Sequence, residues 1–332
     1  MNEALRENTK GNLLDAGALI FASLYATTFQ ALLDAAGPER AIELMKPYLK
    51  VHYETGSSII KDLYKLNTDD LASLAGYFKS ASILFWGMPA SNFEFFDDGF
   101  TFEISYCWQQ VGEAWCSLHC EYALRTNLRA LNDNYEECLT RSYYRGDPIC
   151  QVMIKKKGAN IRGEIRKKPV EICTPQPSKE ELAYYHSAHL SQSWIYATNA
   201  LVDFAGKERA MEILRPYMRE LGMSTALELT KKLGIKGRDA ASIAAVIEYC
   251  NRVANQKGKM LVETPERVEK ELTECILVFA NAPQDICANA LEARSNGICE
   301  MINPEYEFRT IKRMCKGDKT CQWVIKKKSA PL

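Results

Sequence analysis

The chain has no excess of charge of either sign. Lys plus Arg and Asp plus Glu both number 42 in 332 residues, so the formal net charge is zero. Nucleic-acid-binding domains usually carry a basic surplus on one face, and this balance argues against that class. Long apolar runs are missing too. The stretch from Ala16 to Leu24 is far shorter than the ~18 residues that a bilayer crossing needs. It directly follows Asp15, and Arg6 and Lys10 before it are mixed with Glu3 and Glu7, unlike the basic start of a secretion signal. The expectation is a soluble, cytoplasmic protein with no nucleic-acid or membrane partner. The chain also lacks a P-loop, a G-x-G-x-x-G turn after a strand, a G-x-S-x-G elbow and an H-E-x-x-H helix, so nucleotide-dependent, serine-hydrolase and zincin readings have no support.

Cysteine, by contrast, is plentiful: twelve residues. In a reducing compartment these are free thiols or ligands rather than disulfides. The hydrophobic content of 47% and charged content of 25% are ordinary for globular domains, and the length suits two of them.

The dominant feature is an internal duplication. YEECLTRSYYRGDPICQVMIKKK (135–157) matches YEFRTIKRMCKGDKTCQWVIKKK (306–328), and Gly146 and Gly317 differ by 317 − 146 = 171. GPERAIELMKPY (37–48) matches GKERAMEILRPY (206–217), with 206 − 37 = 169. The repeats are placed at 1–157 and 179–332, joined by a Gly-, Pro- and Lys-rich linker at 158–178. The basic run beginning at Lys155 reads as solvated linker.

Each repeat reads as helical in front and strand-rich behind. Helices are expected over 12–35 and 180–205, then 38–50 and 207–221, then 69–82 and 238–255. Phe100 to Cys107 alternates like a strand, and a helix over 108–131 follows. A β-hairpin turning at Gly146-Asp147 ends the first repeat, and Gly317-Asp318 ends the second. Elements of one kind are grouped by region, which is the α+β class: two similar domains, each a helical front half followed by a small antiparallel sheet with a C-terminal hairpin.

Candidate chemistry comes from features kept in both repeats. Glu103, Ser105 and Cys107 return as Glu271, Thr273 and Cys275 at an offset of 168. On a strand these three share a face, with the carboxylate about 13 Å from the thiol. A glutamate in such a cavity serves as a base and a thiolate as a nucleophile, although an unperturbed thiol is only about 3% ionised at pH 7. Cys150 and Cys321 lie on apolar hairpin faces, where core packing is favoured over a cavity role. Cys116, His119 and Cys120 in the first repeat, and Cys275, Cys287 and Cys299 in the second, are zinc or iron–sulfur ligand types, but no C-x₂-C pair occurs. His186 and His189 share a helix face near Glu181 in one repeat alone.

A helical front carrying G-x-E-x-A, a strand ending in Cys, and a Cys-containing helix leading to a Gly-x₃-Cys hairpin resemble the L-2-amino-thiazoline-4-carboxylic acid hydrolase family. The matching residues are Gly37, Glu39, Ala41, Cys107, Cys120, Gly146 and Cys150, then Gly206, Glu208, Ala210, Cys275, Cys287 or Cys299, Gly317 and Cys321. Family members are single units, whereas this chain is two in tandem. The resemblance implies hydrolytic opening of a small ring at a C–N bond. The leading expectation is therefore a cysteine-dependent hydrolase of a small cyclic amide or amidine, with Cys107, Glu103, Cys275 and Glu271 catalytic and Ser105, Thr273, Cys120, Cys150 and Cys321 around the substrate. No cofactor is required. The alternatives are a small-molecule-binding protein without chemistry, suited by the aromatics from Phe93 to Trp108, and a zinc or iron–sulfur protein. A homo-oligomer is left open.

Overall fold

The computed structural model describes residues 22–84, 90–104, 113–159, 172, 178–254, 256–275 and 286–329. Each repeat forms the same eight elements in the same order. The first has α1 (22–36), α2 (Pro38–Tyr64), α3 (Leu71–Leu84), β1 (Ala90–Phe96), β2 (Gly99–Ile104), α4 (113–131), β3 (Tyr135–Arg141) and β4 (Cys150–Lys156). The second has α5 (Lys179–Ala205), α6 (Lys207–Lys232), α7 (Ala240–Val253), β5 (Gly258–Glu263), β6 (Arg267–Leu272), α8 (286–302), β7 (Tyr306–Lys312) and β8 (Cys321–Lys327). The sheets are four-stranded and antiparallel, ordered β1-β2-β4-β3 and β5-β6-β8-β7. The α+β duplication is thus present in three dimensions.

Local chemistry explains the boundaries. Asp70 Oδ2 accepts from the Ser73 N–H at 2.9 Å and Asp239 Oδ1 from the Ser242 N–H at 2.8 Å, so the same aspartate caps α3 and α7. Both helices preceding the hairpins, α4 and α8, contain a π segment, Cys116–Tyr122 and Cys287–Leu291, each opening on a cysteine.

Several expectations are corrected. The second helix of each repeat runs on to Tyr64 and Lys232, well beyond 50 and 221. A strand, β1 or β5, precedes the expected one and was not foreseen, although Asp-Gly at 98–99 between apolar runs is a hairpin signal. Strand β6 ends at Leu272, and the residues expected to continue β2 beyond Ile104 lie outside the described residues. The basic run begins inside β4, and its lysines pair with neighbours: Lys155 with Glu136 at 2.9 Å, Lys156 with Asp98 at 3.5 Å and Lys157 with Asp133 at 2.7 Å. Those residues belong to, or directly follow, an interior strand of the sheet rather than serving as free linker.

Packing divides the chain into two compact units, Pro38–Leu182 and a second made of Met1–Gly37 with Ala183–Leu332. Among the described residues, helix α1 of the first repeat therefore belongs with the second repeat. Two contacts hold it there. Trp194 Nε1 on α5 donates to Thr28 Oγ1 on α1 at 3.0 Å, in the interior, and Tyr217 on α6 donates to Asp34 Oδ2 at 2.6 Å. The repeat boundaries mark the duplication, and the compact units are drawn across them.

The two sheet-facing cores are filled differently. In the first repeat Phe102 stacks on Phe78 at 5.6 Å and on Phe93 at 5.4 Å. The aromatics at 93–102 thus pack against one another. In the second repeat Lys270 stands where Phe102 does, at an offset of 168, with a side chain only 4% exposed and ion-paired with Glu248 on α7. Arg252 reaches the same carboxylate at 3.5 Å. Removing one partner of a buried pair strands the other charge. Lys270→Ala is expected to cost about 3–5 kcal/mol in a urea titration, and most of that loss should return in Lys270→Met/Glu248→Leu. A cost below about 1 kcal/mol for the single change would contradict the assignment.

Candidate functional site

The hairpin signature Gly-Asp-x-x-Cys is a loop staple. After β7 the chain makes a single 3₁₀ turn, Met314–Lys316, and Gly317 follows at φ 96°, ψ 1°, a left-handed conformation that a side chain resists. Asp318 Oδ2 accepts from the Arg313 N–H at 2.7 Å, and Cys321 Sγ accepts from the Met314 N–H at 3.2 Å. The first repeat repeats each contact: Gly146 at φ 89°, Ser142 N–H to Asp147 Oδ2 at 2.8 Å, and Tyr143 N–H to Cys150 Sγ at 3.4 Å. Shared folding needs account for this motif in both repeats.

A cavity of about 110 Å³ lies in the second repeat. Its walls come from α7, the sheet, α8 and the two front helices α1 and α5, through Leu24 and Trp194. On α8 the residues facing it are Cys287, Leu291, Arg294 and Ser295, one stripe at helical spacing. The position of α8 is set by two glycines. A Cβ on Gly222 of α6 would lie 1.9 Å from the Arg294 carbonyl oxygen, and one on Gly297 of α8 would lie 2.1 Å from that of Arg219. The helices therefore touch backbone to backbone, directly behind Arg294. At the corresponding places the first repeat has Tyr53 and Thr126.

The wall is rich in hydrogen-bond donors. Asn251 Nδ2, Arg294 Nε, Arg313 Nε and Trp323 Nε1 are all buried nitrogens that meet no acceptor, and all four residues line the cavity. No Asp or Glu lines it. The Arg294 side chain, in a residue only 7% exposed, donates to Cys250 Sγ at 3.3 Å and pairs with no carboxylate among the described residues. Arg313 has a partial partner, Glu292, at 3.6 Å. Each donor left unsatisfied in the interior costs about 1–3 kcal/mol, and more where charge is involved.

Three of the wall's thiols, Cys275, Cys287 and Cys321, enter paired contacts, the partner of Cys287 standing outside the wall. Cys321 hydrogen-bonds Cys275, and that contact, together with burial, pushes the Cys321 thiol up. Cys287 hydrogen-bonds Cys315 on the hairpin turn. That contact and burial push Cys287 up, while the same contact, helped by Arg313, lowers Cys315 to about 6. Cys299 stands apart in the core, raised to about 12 by burial. No described cysteine is in a disulfide.

The first repeat keeps the frame with shorter side chains at the places of the four donors, and one of them, Ser142, carries a buried hydroxyl. The equivalents of Asn251, Arg294, Arg313 and Trp323 are Ser82, Ala123, Ser142 and Val152, at offsets of 169 for the first and 171 for the rest. Cys116 there hydrogen-bonds Cys120, which lowers it, and burial raises Cys150. His119 is buried, with Nδ1 3.4 Å from the Tyr53 hydroxyl, and burial lowers it to about 3, so it is neutral.

The residues singled out from sequence are distributed as follows. Ser105 and Cys107 lie outside the described residues, as do Tyr106 and Trp108 and the side chain of His186. Glu103 engages Asn92 at 2.5 Å and Gln151 at 3.4 Å. Glu271 pairs with Lys259 at 3.3 Å and accepts from Thr320 at 3.3 Å. The shared strand face for Glu271, Thr273 and Cys275 is corrected: β6 stops at Leu272, Thr273 is exposed and Cys275 is buried in the cavity wall. Glu271 is not among the residues of that wall. The cysteine equivalence is corrected too. Cys287 matches Cys116, since 287 − 116 = 171 and both open a π segment. His189 is buried on α5. Among the described residues no group of three or more His, Cys, Asp and Glu side chains stands placed to hold a metal ion. Nor is any described helix long and apolar enough to cross a membrane. The donor set Asn251, Arg294 and Arg313 was missed because polar helix and turn residues read as solvent-facing, although their absence from the other repeat is visible at the repeat offsets.

No protein-family model, curated protein or solved structure matches the chain.

Gly222→Ala tests the helix contact. A methyl group at 1.9 Å from a carbonyl oxygen forces α8 outward, and overpacking of this kind costs about 1–3 kcal/mol. Thermal unfolding should show that loss, and reaction of Cys287 with a thiol reagent should quicken. An unchanged melting profile would show that the helices have room to spare.

Proposed function

We propose that the second repeat is a receptor site for a small carboxylate-bearing molecule, enclosed by the walls of the 110 Å³ cavity. The observation that carries this reading is the presence of four buried, unpartnered N–H donors, two of them on guanidinium groups, on residues of a wall without a carboxylate. Donors alone call for acceptors, and guanidinium favours an anionic, planar one. A cavity of about 150 Å³ holds benzene, so the enclosed part of the ligand is about the size of a five-membered ring.

Arg294→Met provides the test. Replacing a buried, unpaired charge by an apolar chain of similar length leaves stability unchanged or raises it. Binding should fall about 10- to 150-fold, the worth of about 1.5–3 kcal/mol for a hydrogen bond to a charged group. Calorimetric titration with pyrrole-2-carboxylate and thiazole-4-carboxylate, against their neutral carboxamides, reads this directly. Equal binding of acid and amide, or a large loss of stability in Arg294→Met, would count against the site.

A second reading is favoured by Cys275 in the same wall. It is the hydrolysis of a cyclic amide or amidine that the thiazoline-carboxylate resemblance implies. The Cys275 thiolate adds to the ring carbon, a C–S bond forms as the ring C–N bond breaks, and the thiol proton goes to the leaving nitrogen. Water then cleaves the acyl-type intermediate and restores the thiol. The arginines hold the carboxylate throughout. Turnover that disappears in Cys275→Ala while carboxylate binding persists supports this chemistry. Binding without turnover in the unaltered protein leaves the receptor reading alone.

A further inference from the structure

Among the described thiol pairs, Cys287–Cys315 joins α8 to the hairpin turn with both members only partly buried. Cys287 opens the π segment of α8, and Cys315 sits in the 3₁₀ turn between β7 and β8. They are 315 − 287 = 28 residues apart, hydrogen-bonded through sulfur, and both only partly buried. Cys275 and Cys321 also touch, but both are buried, and Cys321 is fixed by the Met314 N–H. The first repeat pairs Cys116 with Cys120 on the same helix, and no pair there joins helix to hairpin turn, because Tyr144 occupies the position of Cys315 and packs its ring on Arg145.

We propose that Cys315 and Cys287 form a redox-active dithiol that low-molecular-weight disulfides oxidise to a protein disulfide. Cys315 attacks one sulfur of the small disulfide RSSR. A Cys315–SR bond forms as the RS–SR bond breaks, and the departing RS⁻ takes up a proton. Cys287, losing its proton to solvent, attacks the Cys315 sulfur and releases the second RS⁻, which is protonated in turn. Two protein thiols lose two electrons and two protons, and RSSR becomes two RSH. The groups facing Cys315 suit it to the first step: the Cys287 thiol, the Arg313 guanidinium and the Lys316 ammonium favour the thiolate and together outweigh the partial burial that opposes it. Cys287, held protonated beside it, serves as the resolving thiol. Oxidation would tie the π segment of α8 to the hairpin turn. The proposal does not rest on the carboxylate-receptor reading, since the reaction is at the sulfurs and needs no bound carboxylate.

The experiment uses the fully reduced, full-length protein with oxidised glutathione as the probe, followed by peptide mass spectrometry. At pH 6 Cys315 should react about tenfold faster than the cysteine of an unstructured peptide, because the larger thiolate fraction outweighs the lower nucleophilicity of a more acidic thiol. The product expected is the Cys287–Cys315 cross-link. In Cys287→Ser a mixed disulfide with glutathione should remain trapped on Cys315, and in Cys315→Ser Cys287 should stay unmodified. Reaction of Cys315 no faster than the peptide would overturn the proposal, as would a cross-link that joins Cys315 to another cysteine or a Cys287→Ser protein that traps no glutathione.

Discussion

The backbone contact between α6 and α8 is the constraint on which the second-repeat site depends. With Gly222 and Gly297 facing each other's carbonyl neighbours, the helices approach more closely than any side chain would permit. That approach pushes Arg294 inward, where its guanidinium has a sulfur for an acceptor and no carboxylate to pair with. A folded chain does not keep such an arrangement for stability, since an apolar side chain would serve better there. The same approach packs the π segment of α8, and Cys287 with it, against α6.

Duplication then has a structural consequence. Helix α1, encoded in the first repeat, closes the cavity of the second through Leu24, and it is anchored by the bond from Trp194 to Thr28. One repeat therefore supplies a wall for the site carried by the other. Meanwhile the first repeat has Ser82, Ala123, Ser142 and Val152 at the places of the four donors, with no guanidinium among them, and packs phenylalanine rings against its sheet. The two copies keep one frame and divide its uses: an aromatic-filled core in one, and in the other a donor-lined cavity with a buried Lys270–Glu248 pair nearby.

Much of this frame is legible in the amino-acid sequence, for physical reasons. Gly-Asp-x-x-Cys is read easily because a left-handed turn, a side-chain acceptor and a sulfur acceptor each constrain residue type locally. The aspartate caps of α3 and α7 and the alternation Phe100, Phe102, Ile104 are similarly local. The site is less legible. Arg294 and Arg313 look like solvent-facing helix and turn residues, and only the tertiary approach of α6 reveals that the first of them is buried. The Glu-x-Thr-x-Cys reading failed in the second repeat because period-2 geometry was extended three residues past the end of β6 at Leu272. Cys287 corresponds to Cys116 at the offset of 171 that the hairpins share, and the π segment that each opens bears this out.

The central claim is that the four unpartnered donors exist for an acceptor-bearing ligand. The most direct measurement is a high-resolution crystal structure of the protein grown with pyrrole-2-carboxylate. The account predicts carboxylate oxygens about 3 Å from at least two of Asn251 Nδ2, Arg294, Arg313 and Trp323 Nε1. A cavity in which ordered water satisfies all four donors, with the carboxylate absent at saturating concentration, would contradict it.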